Sequence, residues 1–136
     1  MAKLVLTNVV VTIAGNTVSD HVASVTLTTD VAEVTTTAFG DTAVKRVGGL
    51  KDNSVQFEFH QDFASSNLES IVYPLIGTVA AITVKPTSAV ISSANPEYQF
   101  NALISSWSPI AGAVGDLATV SVTWQISGEI TKDVTP

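Results

Sequence analysis

The chain has 136 residues, no cysteine, and twelve acidic against six basic residues, for a formal net charge of −6. The missing thiols exclude disulfides, thiolate metal sites and cysteine nucleophiles, and the negative balance argues against a protein that grips a phosphate backbone. Only 13% of residues are charged while 46% are hydrophobic and the mean hydropathy is +0.38, so a lone copy has an exterior poor in charge, and cover by sister copies or by lipid is expected.

Length predicts a single domain spanning residues 1–136. The first apolar stretch, residues 4–13, is broken by Thr7, Asn8 and Thr12 and offers no small-residue cleavage pattern. It reads as a strand and not as a signal peptide. Ala14-Gly15-Asn16 is a hairpin-type turn signal, and the β-branched stretch 18–29 is expected to pair back on the first strand. Residues 31–37 continue with β-formers. Residues 38–53 then lose periodicity and carry Gly48, Gly49 and three of the six basic residues, Lys45, Arg46 and Lys51, so a long loop is expected there, of a kind that is usually functional or mobile.

Residues 54–61 alternate cleanly, with Val55, Phe57 and Phe59 on one face and Ser54, Gln56, Glu58 and His60 on the other, as a pleated strand requires. After Asp62 the period changes. Ser66-Asn67-Leu68-Glu69 has the form of a capping box, and Leu68, Ile71, Val72 and Leu75 repeat at helical spacing, which predicts one short helix ending near Pro74. Strands are expected at 78–85, stopped by Pro86, and at 97–107, where Tyr98, Phe100, Ala102 and Ile104 share a face. The last stretch, 117–130, places Ala118, Val120, Val122, Trp124 and Ile126 on one parity and Thr119, Ser121, Thr123 and Gln125 on the other. It predicts a long central strand with one buried and one hydroxyl-rich face, and Gly128 marks a bulge or a close backbone approach. The sum is a mainly β fold, an antiparallel β-sandwich or barrel of about seven to eight strands with one short flanking α-helix.

Signals of chemistry are sparse. His60 and Asp62 share a strand face, which is the minimum of a metal site and lacks a third ligand, so surface or structural roles are expected for His60 and for His21. There is no Gly-x-Ser-x-Gly elbow, Gly48-Gly49 lacks the ending of a phosphate loop, and Asp30 with Glu33 is the only sequence-close acidic pair weighed as acid/base partners. No enzyme activity, cofactor or metal is expected. Lys45, Arg46 and Lys51 read either as a solvated loop or as a basic loop that docks on the acidic surface of a neighbouring copy.

The order of these signals resembles a family. Thr36 to Asp41 has the form Thr-Thr-x-Phe-Gly-Asp, Gly49 to Asp52 reads Gly-Leu-Lys-Asp, Phe59 to Asp62 reads Phe-x-x-Asp, and Gly115-Asp116 precedes a Thr-rich closing strand that carries Ser127-Gly128. With the single helix between them, these resemble the tail tube, or major tail, proteins of long-tailed bacteriophages of the siphophage type. The resemblance implies a structural, self-assembling virion protein: hexameric rings stack into a hollow tail tube, genomic DNA passes through without specific binding, and tape measure and terminator proteins are tail partners. It implies assembly in the host bacterial cytoplasm, no membrane and no active site. It assigns the loop bearing Phe39, Asp41, Lys45, Arg46, Lys51 and Asp52 to contacts between rings or subunits, and the termini to similar contacts. From the residues themselves, an acidic or neutral face is expected toward the DNA channel, with Thr119, Ser121, Thr123 and Gln125, or the equivalent face of another strand, as the lining. The rival readings are a capsid decoration protein, then an outer-membrane β-barrel, for which a leader and aromatic girdles are lacking, then a small ligand-binding β domain.

Overall fold

The computed structural model describes residues 4–65 and 67–135. Two antiparallel sheets face each other. One holds five strands in the order β2-β1-β5-β6-β8, where β1 is Val10–Ile13, β2 Asn16–Thr17, β5 Val79–Lys85, β6 Glu97–Leu103 and β8 Thr131–Asp133. The other holds three, β3-β4-β7, where β3 is Val22–Thr35, β4 Arg46–His60 and β7 Thr119–Gln125. Neither sheet closes on itself, so of the two architectures expected the sandwich is the one formed. The helix α1, Leu68–Val72, continues into a 3-10 turn at Tyr73–Leu75.

The core lies where the alternating strands point inward. Val55, Phe57 and Phe59 of β4 and Val120, Val122 and Trp124 of β7 meet Val11, Ile13, Ile82, Val84, Phe100 and Ala102 from the five-stranded sheet, with Leu68 and Val72 of α1 closing one end. Phe57 stacks on Phe59 at a centroid distance of 5.0 Å, and Trp124 meets Phe57 edge-on at 5.7 Å. Such aromatic pairs add about 0.5–1.5 kcal/mol beyond their burial. The indole of Trp124 donates to the Ser106 carbonyl at 2.9 Å, so this wholly buried ring leaves no unmet polar group.

Several expectations are overturned by pairing. The turn at Ala14 and Gly15 forms, with φ of 51° and 84°, but the returning strand β2 is only two residues long. Val18 is buried, and the Ser19 hydroxyl accepts from the Val11 amide at 2.9 Å. A 3-10 turn at Ser19–His21 then carries the chain to the other sheet, so β3 pairs with β4 and β1 pairs with β5. Local hairpin closure loses here to the burial of Val18.

The expected 38–53 loop is also shorter. Residues 46–53 belong to β4, which pairs with β3 from Thr35↔Arg46 down to Val22↔Phe59. The glycines that signalled a loop mark a bulge instead: the register steps from Val31↔Lys51 to Glu33↔Gly48, two residues of β4 against one of β3. A Cβ on Gly49 would sit 3.1 Å from a Val34 methyl and 3.2 Å from the Ala32 carbonyl oxygen, so this close crossing favours glycine.

The closing stretch is not one central strand. β7 is an edge strand and β4 is the central one. After Ile126, which bridges to Ala102, the chain turns at Gly128 with φ of 98° and crosses to the other sheet as β8. The capping box rests on Ser66, which lies outside the described residues. Glu69, its other half, accepts from the Trp107 indole at 2.9 Å, and Asn67 is the N-cap without a side-chain bond.

Candidate interaction surfaces

Beyond Asn53, β3 and β4 leave the core as a two-stranded arm. Residues 29–40 and 42–52 are all exposed, and Asp41 alone within the arm is half-buried. Six cross-strand steps at about 3.3 Å each give a projection of about 20 Å before the turn. Val31, Val34, Phe39, Val44, Val47 and Leu50 are exposed apolar side chains on it.

The arm holds Phe39, Asp41, Lys45, Arg46, Lys51 and Asp52, the residues expected to make intermolecular contacts. Each cation has a partner within the chain: Lys45 Nζ lies 3.0 Å from Asp41, Arg46 faces Glu33, and Lys51 Nζ lies 3.6 Å from Glu129. The Arg46 and Lys51 pairs are largely exposed and Lys45 reaches a half-buried Asp41 from solvent, so water and salt screen all three and their contribution to stability is small. Asp41 also accepts from the Ala38 amide at 2.7 Å. That backbone bond, and then the Lys45 ammonium, hold its carboxyl below the ordinary carboxylate range. Asp52 stands directly across from Asp30, a like-charge pair that works against the arm's own pairing.

The second surface is the outer face of the three-stranded sheet. Thr119, Ser121, Thr123 and Gln125 of β7 stand opposite His60, Glu58, Gln56 and Ser54 of β4, and Ser24, Thr26 and Thr28 of β3 continue the rows. Directly opposed residues share a face, so this face is built of hydroxyls, amides, one histidine and one carboxylate, with neither lysine nor arginine. The alternation predicted its β7 and β4 rows. The Ser24, Thr26 and Thr28 row was also legible as an alternation, but the expected pairing with β1 set it on the wrong sheet.

The histidines form no metal centre. His21 sits in the 3-10 turn, not in a strand, with Nε2 3.6 Å from Asp20 and 3.6 Å from Asp62. His60 ends β4, its Nδ1 is buried without a partner among the described residues, and Asp62 faces His21 instead of sharing a site with it. Among the described residues no group of three or more His, Asp or Glu side chains is placed to hold a metal. Asp30 and Glu33 do not act as a pair, since Glu33 faces Arg46.

An apolar cleft of about 370 Å³ opens between the sheets, lined by Val25 and Leu27 of β3, Val84 of β5, Tyr98 of β6, and Leu6 and Ile130. It carries no convergent charged groups that would suit a reaction.

Chains in solved structures share this fold, two of them in gene transfer agent particles. A chain in the virion of a native gene transfer agent particle matches with a TM-score of 0.68, over 86% of this chain and 87% of that one, at 14% identity. A chain in the tail of an empty gene transfer agent particle, determined by helical refinement with C6 symmetry, matches with a TM-score of 0.59, over 82% and 81%, also at 14% identity. No protein-family model matches the sequence, and no curated protein matches it at a significant level. The architecture is a two-sheet β-sandwich with a flanking helix and a projecting arm, and its overall fold is shared with these two chains.

Proposed function

We propose that this chain is a tail tube subunit, a structural and non-enzymatic virion protein whose hexameric rings stack into a conduit for DNA. The observation that carries this reading is the shared fold with a chain of a six-fold symmetric tail. The open sheet edges support it. Among the described residues β3 and β7 each pair only with β4, leaving free edges of 14 and seven residues. Free edges of that length invite further pairing. Joining β7 of one copy to β3 of the next continues the sheet around a ring, and such heterologous contacts close when the rotation fits.

In that ring the polar face with Thr119, Ser121, Thr123 and Gln125 lines the lumen, where the lack of cations lets DNA slide, because each phosphate neutralised by Lys or Arg adds affinity. The arm, with Phe39, Asp41, Lys45, Arg46, Lys51 and Asp52, reaches the adjoining ring. Tape measure and terminator proteins as tail partners, and assembly in the host bacterial cytoplasm, belong to the same reading. Electron microscopy of the concentrated purified protein tests it: rings or hollow tubes are expected. A strictly monomeric protein, or one that binds capsid shells and never forms rings, contradicts it.

A further inference from the structure

Among the described residues β3 has one edge taken by β4 and the other free over 14 residues. In a lone copy such an edge is a template for unwanted pairing, and proteins blunt it with charge or cover it with a loop. From Asp30 onward charge is at hand, with Asp30 and Glu33 on the strand. The first four residues, Val22 to Val25, carry none. Beside them stands the segment 4–9.

Its position follows from two clefts. One, of about 250 Å³, has Leu6, Thr7 and Val9 on its wall together with Ser19 and the four successive residues Val22, Ala23, Ser24 and Val25. Successive residues of a strand point to opposite faces, so a cleft that touches four in a row runs along the edge of the strand, and the edge is the free one because β4 fills the other. The apolar cleft of about 370 Å³ shares Leu6, Val9 and Val25 with it and continues past Leu27 and Thr29. Residues 6–9 therefore border both clefts alongside the start of β3.

The segment is loosely held. Among the described residues no backbone hydrogen bond joins residues 4–9 to the rest of the chain. Leu4, Val5 and Leu6 are exposed, and Val9 alone of the segment packs against the core. A stretch with so few buried contacts and no backbone hydrogen bonds opens at little cost.

Resting on the tube reading above, we propose that segment 4–9 is a strap that guards the free edge of β3 in the lone copy and swings away when β7 of the next copy pairs there. An added strand lies about 4.8 Å from its partner, within the space that the strap borders. The exchange favours assembly, because β7 supplies ladder hydrogen bonds that the strap does not make. A copy accepts its neighbour only while the strap is open, so the apparent affinity between copies is reduced by the open fraction.

Two variants test the strap. In L6C combined with A23C, the two thiols are the only ones in the chain, and they are either joined within one copy by a short bis-maleimide or capped separately. The capped protein is expected to form rings or tubes as the unaltered protein does, and the joined protein to stay monomeric in sedimentation. Equal behaviour of the two overturns the strap. The second variant lacks residues 1–7 and is expected to polymerise at a lower concentration and after a shorter lag. A truncated chain that keeps its β circular-dichroism spectrum yet polymerises no faster, or not at all, also overturns it, since the segment is then inert or an adhesive contact. In each of these cases tubes of the unaltered protein leave the tube reading standing. If the unaltered protein forms neither rings nor tubes, both readings fall.

Discussion

Asp41 organises the arm's turn through two oxygens, one accepting from the Ala38 amide and the other facing Lys45. Both contacts favour the ionised form, so its folded pKa lies below the ordinary value of 3.8. A depressed carboxylate stabilises the turn at neutral pH, and that contribution disappears as pH falls through the folded pKa. In an NMR titration the Ala38 amide is therefore expected to shift with a midpoint below 3.8, and a midpoint at or above that value contradicts the contact. Gly128 is a second position where one residue decides the path. Its φ of 98° is disfavoured for any side chain, although no neighbour would touch an added Cβ. Gly128→Ala is expected to cost about 1–3 kcal/mol through backbone strain alone. Urea unfolding measures it, and an unchanged midpoint would mean that the crossing tolerates another conformation. Asn53 secures the same crossing by donating to the Gly128 carbonyl at 2.9 Å and accepting from the Ile126 amide at 2.9 Å through its own carbonyl.

At the scale of elements, β4 has two halves with different tasks. From Val55 to Phe59 it supplies the core, and from Arg46 to Asp52 it is exposed on the arm. The clean alternation of the inner half was legible because Val55, Phe57 and Phe59 face one hydrophobic interior. The outer half lacked that signal for the same physical reason: an arm with solvent on both faces has no buried side to impose period two. Its glycines then read as loop when they serve a bulge. Val47, opposite Val34 on the arm, separates assembly from folding. Val47→Asp is expected to change monomer stability by no more than about 0.5 kcal/mol, as for other exposed positions. The same variant is expected to polymerise poorly. Equal loss of stability and assembly in denaturant and sedimentation measurements would indicate that the arm is part of the folded core.

For the whole molecule, sparse charge and many exposed apolar side chains fit the proposed unit that neighbouring copies complete. A lone copy leaves Phe39, Leu50, Ile110 and Val114 in water, together with the two unpaired edges of the three-stranded sheet. In the proposed tube, ring formation and stacking would cover these at once, in keeping with a chain of only 13% charged residues. The lumen assignment gives a further expected outcome. S121R combined with T123R adds cations to a face that has none, so tubes of this variant should retain DNA, with retention falling steeply as salt rises. Tubes that assemble normally and bind no more DNA than the unaltered protein place that face outside the channel.

The sequence by itself determined the strands that border the core, the single helix and the polar rows of β4 and β7, because each is a local consequence of side chains alternating between oil and water. It also determined the absence of thiol chemistry and the low share of charged residues. Which strand pairs with which was decided only in three dimensions. Val18 is buried where the chain leaves β1 and β3 pairs with β4, and the turn at Gly128 lets the closing stretch serve both sheets. Alternation states that a strand has an inner face; it does not state whose edge that strand meets, since backbone hydrogen bonds are the same for every partner and the choice rests on packing between residues far apart in the chain.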